Sequence, residues 1–265
     1  MTSLGAFRAI AARDLLLQRS YRLSIAFDLF WGAIGIFLYY FISKVVGPDP
    51  NADLGSAETY FEFVLSGILM TLVVSSATSE VSSRVREEEL TGTLEALCAQ
   101  PLRAHDLVLG WSAFPLTYAI ARVALYLVIA VAALDLPAGE VDWPGLFLML
   151  LSAAAAFLPL GMLAAAATIV FKRGETIVGV AIFGMTLVGG AYFPIEVLPG
   201  WLQAIGRVMP TRFAYDGLRG ALYGGGWGTD AIVLAAMGIV GIPLAVWVFS
   251  LGLERAKRDG SLAQY

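Results

Sequence analysis

Residues 145–171 read GLFLMLLSAAAAFLPLGMLAAAATIVF, a run without a single charged side chain. A helix needs about 20 mostly apolar residues to cross the hydrocarbon core of a bilayer, and in lipid the backbone must satisfy its own hydrogen bonds. This stretch is long enough to cross with tilt, and Pro159 supplies a kink site. Five further stretches of the same kind lie at about 23–43, 60–80, 107–134, 176–193 and 230–252, with Pro115 inside the third. The expected fold is an all-α membrane protein of six transmembrane helices. The fifth span is short and runs into Phe193-Pro194.

The whole chain agrees with that reading. Of its 265 residues 58% are hydrophobic and 14% charged, against roughly 25% charged in soluble domains. Mean hydropathy is +0.77. The single Cys (Cys98) and single His (His105) exclude a disulfide framework and a metal site built on clusters of those residues. A net charge of −4 argues against nucleic acid as a partner, because a phosphate-binding face needs a basic excess.

Lys and Arg in the connecting segments predict the orientation. Arg8, Arg13, Arg19 and Arg22 precede the first span; Arg84, Arg86 and Arg103 join the second to the third; Lys172 and Arg173 join the fourth to the fifth; Arg255, Lys257 and Arg258 follow the last. The opposite side holds Lys44, Arg207, Arg212 and Arg219. Both termini are thus expected in the cytoplasm. No cleavable signal peptide is expected, since the first apolar run is full length and follows a polar lead. The chain divides into a lead at 1–22, a six-span domain at 23–252 and a cytoplasmic tail at 253–265.

Leu4, Phe7, Ala11 and Leu15 share one helical face of the lead, and arginines interrupt the others. That spacing fits a helix lying in the membrane interface; a cytoplasmic extension of the first span is the alternative. The most polar segment is Glu80 to Asp106, where Glu87-Glu88-Glu89 precedes Leu90-Thr91-Gly92-Thr93-Leu94-Glu95-Ala96-Leu97 and Pro101. Gly92 permits a turn, and Leu94 and Leu97 share a face of a short helix that Pro101 helps to end. Such a helix suits docking onto another protein, and a solvated loop fits the spacing equally well. Between Phe193 and Thr229 stand Pro194, Pro199-Gly200-Trp201-Leu202, Met209-Pro210-Thr211 and a helical run from Phe213 to Leu222. Two short helices dipping into the outer leaflet fit this pattern, with Asp216 and Arg219 one turn apart and able to pair.

The chain lacks the tools of catalysis. A phosphate-cradling loop needs Gly-x-x-x-x-Gly-Lys followed by Ser or Thr, and none of Lys44, Lys172 and Lys257 stands in that context. His105 beside Asp106 has no Ser-centred elbow with it. No enzyme activity and no cofactor bound by the chain itself are expected. Arg122 lies inside the third span, where a charge costs about 2.5–3.5 kcal/mol and is paired, wet or snorkelling. It either salt-bridges another span, with Asp28 or Glu62 as partner, or meets an anionic substrate. The first span carries Phe27, Phe30, Trp31, Phe37, Tyr39, Tyr40 and Phe41, and the fifth Gly179, Gly184, Gly189 and Gly190. Aromatics there either line an apolar pocket or pack on neighbours, and small residues let helices approach closely.

Together these segments resemble the type-two ATP-binding-cassette exporter permeases, which include daunorubicin-resistance and polysaccharide-export membrane subunits. The resemblance rests on Arg86-Glu87-x-x-x-x-Gly92-Thr93-Leu94-Glu95, and on Leu198-Pro199-Gly200-Trp201-Leu202 followed by Pro210 and Ala214-x-Asp216-x-Leu218-Arg219. It implies that Glu87, Glu88, Gly92, Thr93, Leu94, Glu95, Leu97 and Pro101 form a coupling helix in a cleft of a separate ATPase subunit, with Arg173 and Glu175 in a second contact. It implies an interfacial connecting helix at Leu4–Tyr21 and re-entrant outer helices gated by Pro194, Pro199, Trp201, Pro210, Asp216 and Arg219. ATP and Mg would sit on the partner ATPase. Two permease copies, most simply a homodimer, would enclose a pathway lined by Phe30, Trp31, Phe37, Met70, Phe183 and Leu187, with membrane lipid around them. Alternating access would then export an amphipathic drug, a lipid-like molecule or a polysaccharide. Ser66-Gly67, where relatives often have Pro-Gly, and Met209, where they often have Asn, depart from the pattern. The competing classes are an ion-coupled secondary transporter, opposed by unlike halves and missing mid-span acids, and a membrane enzyme acting on lipids.

Overall fold

The uncharged stretch is one continuous helix, because Leu, Ala and Met favour helix and its two hydroxyls, on Ser152 and Thr168, donate back to the Met149 and Ala164 carbonyls of the preceding turn. The computed structural model describes residues 12–14, 16, 21–47, 53–93, 104–137, 139, 141–171 and 174–258. Among these the elements are α1 (Arg22–Val46), α2 (Tyr60–Leu90), α3 (Ala104–Ala133), α4 (Trp143–Phe171), α5 (Gly174–Val188), a 3₁₀ turn (Ile195–Val197), α6 (Gly200–Val208), α7 (Pro210–Leu222) and α8 (Gly228–Arg258). Residues 12–14 and 16 are helical. Pro115 and Pro159 lie inside unbroken α3 and α4.

Five of these helices, α1, α2, α3, α4 and α8, are long and apolar enough to cross a bilayer. The sixth expected span, 176–193, is instead the 15-residue α5, which rises about 22 Å and stops short of the roughly 30 Å hydrocarbon core. It stops at Gly189-Gly190, where Gly190 takes φ +86°. The charged stretch that follows position 80 is not a loop at its start: α2 carries Glu80, Glu87 and Glu88 on as helix to Leu90 and turns at Gly92, φ +71°.

Helix α2 is the centre. It is packed by α1, α3, α4, α5 and α7, and α8 lies along the other side of α4. Small residues make these approaches. A Cβ on Gly161 of α4 would meet the Ala77 carbonyl of α2, and Cβ atoms on Gly238 and Gly241 of α8 would meet Ala155 and Pro159 of α4. The alanines of α4 thus let two helices close on it from opposite sides. One core cluster runs through α2, with Leu65, Leu69, Met70 and Val73 fully buried, and a second holds Val81, Val85, Leu107, Trp111, Leu158, Met162 and Phe249. We call the end that carries 53–59, 134–137, 141–142 and 189–227 the far end, and the other the near end.

Candidate functional site

At the far end the elements after α5 fold back onto α2. Pro199 precedes α6 and Pro210 opens α7 at its first position, where a missing N–H costs nothing. Met209, the residue before α7, makes no side-chain cap. Thr211 instead donates from Oγ1 to the Met185 carbonyl of α5, 3.1 Å. Gln203 of α6 donates to the carbonyls of Glu196 and Leu198, 3.1 and 2.9 Å, and so holds the 3₁₀ turn.

Arg219 is the hub of this end. Its side chain is 3% exposed, and it donates from Nε to Ser66 Oγ (3.2 Å), from Nη1 to Asp216 Oδ1 (3.1 Å), and from Nη2 to the carbonyls of Phe63 (3.3 Å) and Gly190 (2.6 Å). Its guanidinium also lies 3.6 Å from the centroid of the Phe63 ring. One cation therefore joins α7, α2 and the turn that ends α5. Asp216 additionally accepts from Arg212, 3.2 Å. Ser66 of α2 holds the arginine, and a Cβ on the adjoining Gly67 would strike the Ala191 carbonyl. A cavity of about 280 Å³ opens beside this hub, lined by Asp53, Phe63, Glu196, Arg212, Asp216 and Arg219 among others. Pro194 also lines it, whereas Pro199 and Trp201 are exposed on the surface.

Glu62, a candidate partner of Arg122, is used elsewhere. It accepts from the backbone of Glu58 and Thr59, 2.7 and 3.3 Å, while Thr59 Oγ1 accepts from the Glu62 N–H, 3.2 Å. This is a capping box at the start of α2. Arg122 pairs with Asp28 of α1, 3.0 Å, and Tyr118 donates to the same carboxylate, 2.8 Å. Its Nε has no hydrogen-bond partner among the described residues. Tyr126 completes the α1 contact by donating to the Leu29 carbonyl, 3.2 Å, over Gly32, where a Cβ would clash with its ring.

At the near end, Glu87 is exposed and paired with Arg84, 3.0 Å. Glu88 is buried, accepting from Arg13 at 2.5 Å and from Thr93 Oγ1. Arg13 also bonds Asp14. Burial pushes the Arg13 pKa down, but the bonds to Glu88 and Asp14 outweigh it, so the shift is upward. The lead and the entry to the segment after Gly92 are thereby tied together. Leu94, Glu95, Leu97, Pro101 and Arg173 lie outside the described residues, as does the face formed by Leu4, Phe7, Ala11 and Leu15; Glu175 is in the first turn of α5, its side chain not described.

The residues expected along a pathway are divided. Phe30, Trp31 and Phe183 stand exposed at 62%, 75% and 62%, Phe37 and Leu187 are half-buried, and Met70 is buried in the core of α2. The structure does not bring Met70 to a surface with the others. What sequence reading missed are the neutral partners, Ser66, Tyr118 and Tyr126; the Thr59-x-x-Glu62 spacing was a readable signal of the cap.

A family model for the ABC-2 type transporter matches residues 6–223. The chain belongs to the ABC-2 type transporter family. Among curated proteins it is similar to ABC transporter G family member 20 of Dictyostelium discoideum, 23% identical over 178 residues that make up 67% of this chain and 23% of that protein. It is also similar to the inner membrane transport permease YadH of Escherichia coli K12, 23% identical over 164 residues, 61% of this chain and 62% of that one. The match thus spans less than two thirds of the length of either relative. In this ABC-2 chain the family match takes in both the near-end segment and the far-end hub.

Proposed function

We propose that this chain is the membrane-spanning permease subunit of an ATP-driven exporter, powered by a separate ATP-binding-cassette ATPase that carries ATP and Mg. The observation that carries the reading is membership of the ABC-2 family across residues 6–223. The geometry supports it in two places. Helix α1 is as apolar as α2, yet only 6% of its apolar window is buried inside this chain, which leaves an aromatic face for a second copy across a pathway. Glu88, Arg13 and Thr93 tie the lead to the start of the segment that runs toward Glu95, so a push there is felt by both.

In this reading Leu94, Glu95 and Leu97 dock in the ATPase cleft, with Arg173 and Glu175 alongside. α5 is completed across the bilayer by the far-end elements as a sixth, broken span. The Arg219 hub closes the outer side, and both termini are cytoplasmic. Alternating access supplies two packings of near-equal energy, and nucleotide on the partner biases them. The cargo is an amphipathic drug or lipid-like molecule, because exposed Phe30, Trp31 and Phe183 offer aromatic surface with few charges.

The test is reconstitution of the full chain with its ATPase in vesicles. Glu95→Lys is expected to leave insertion intact and cut ATP-dependent export at least tenfold. Wild-type export by that variant overturns the coupling assignment. Transport that survives ATP depletion and collapses with a proton or sodium gradient overturns the ATP-driven reading.

A further inference from the structure

A second far-end cavity, about 320 Å³, opens where the last turn of α1, the first turn of α2 and the loop after α3 meet. Tyr40, Lys44, Tyr60 and Asp135 line it, with Ser43, Thr59 and Glu62. Most of its polar groups are already engaged. Ser43 Oγ accepts from the Phe61 N–H, 3.1 Å, and Thr59 and Glu62 cap α2. Two charges remain. The Lys44 ammonium lies 5.1 Å from the centroid of the Tyr40 ring, and no ion pair among the described residues joins it to the Asp135 carboxylate.

Asp135 is held in place by its backbone. Its φ is +55°, the one positive value at a non-glycine among the described residues. Asp tolerates this conformation better than most side chains, and such conformations cluster at functional positions. The residues on either side, Leu134 and Leu136, are buried, and both their amides bond to the Ala130 carbonyl. The chain thus pins a turn on both flanks and presents the carboxylate between them.

A cation and a carboxylate that face one cavity without pairing match a ligand that carries one charge of each sign. The cavity sits where three apolar helices end, which is the head-group level of a bilayer. Phe41 and Val45, on the turns of α1 that flank it, are 60% and 87% exposed, and offer apolar surface for acyl chains. We propose that this cavity binds the zwitterionic head group of a phospholipid, its phosphate at Lys44 and its ammonium at Asp135. The site requires that the helices sit in a membrane. It does not require that the chain transports anything.

The full chain is purified from nanodiscs holding equal amounts of phosphatidylethanolamine, phosphatidylglycerol and N-acylated phosphatidylethanolamine, and the retained lipid is read by native mass spectrometry. The expected result is at least fivefold enrichment of phosphatidylethanolamine over each of the others, since one lacks the cation and the other has lost it. Lys44→Gln and Asp135→Asn should each bring that ratio below twofold, and Lys44→Arg should keep it. Equal retention of the three lipids by the wild type, preference for phosphatidylglycerol, or an unchanged ratio in Asp135→Asn overturns the proposal. Loss of transport with the enrichment intact would count against the exporter reading alone.

Discussion

Helices α1 and α2 are neighbours in the chain and nearly equal in mean hydropathy, 1.8 and 1.7 over their most apolar windows. Yet 78% of the α2 window is buried inside the molecule and 6% of the α1 window. Lipid is as apolar as leucine, so hydrophobicity alone does not decide which span goes to the centre. Small and hydroxylated residues do. Along α2, Ser66, Gly67, Ala77, Thr78 and Ser82 let neighbours approach and bond, as Ser82 does with Thr168 at 2.8 Å. α1 turns Phe27, Phe30, Trp31, Leu38 and Phe41 outward. Each helix is held by an arginine, and the two arginines differ in the same sense. Arg219 has four hydrogen bonds and near-complete burial. Arg122 has one carboxylate and an Nε without a partner among the described residues.

The contrast can be broken at its strongest point first. Arg219→Met should cost about 3–5 kcal/mol, because it leaves the Ser66 hydroxyl and the Phe63 and Gly190 carbonyls without their donor, each lost buried partner costing about 1–3 kcal/mol. The yield of monodisperse protein and its thermal midpoint measure this, and Arg219→Lys should rescue little, since an ammonium cannot reproduce the guanidinium fork. Next, Gly67→Val should destabilise by about 1–3 kcal/mol as the side chain forces the Ala191 turn off α2. A similar loss from a valine at Gly35 of α1, where nothing lies within 4 Å of an added Cβ, would erase the distinction between the helices. A smaller effect is expected at the looser arginine. Asp28→Asn should cost about 1 kcal/mol, and a double-mutant cycle with Arg122→Gln should show coupling of similar size. Smallest of all, Trp31→Ala on the open face of α1 should shift stability by no more than about 0.5 kcal/mol. Under the proposed pairing of two copies through this face, its effect should fall on the dimer fraction seen by cross-linking.

Much of this architecture was legible in the chain. Charge-free runs located the helices, Gly92 marked the turn after α2, and the spacing of Asp216 and Arg219 foretold their pair. The Arg122 partner was legible only as a choice, since Asp28 and Glu62 were equal in sequence terms. The cap at Thr59 removed Glu62 from that choice. Two features escaped because their cause is tertiary. The apolar pattern continues past Val188 to Phe193, but a glycine pair and the docking of α7 end α5 early. Met70 looks like any apolar residue of a span, and only the central position of α2 buries it.

The early end of α5 has a consequence for how the chain is made. The turn that ends it bonds within itself, Gly189 and Ala191 donating to the Met185 and Thr186 carbonyls, but the Gly190 carbonyl just beyond it is met by Arg219, and the Met185 carbonyl gains a second donor in Thr211, both side chains synthesised more than twenty residues later. The turn is fastened to the rest of the bundle only once α7 has left the ribosome and supplied those donors. The order of synthesis and the order of closure therefore run opposite to each other at this end of the molecule.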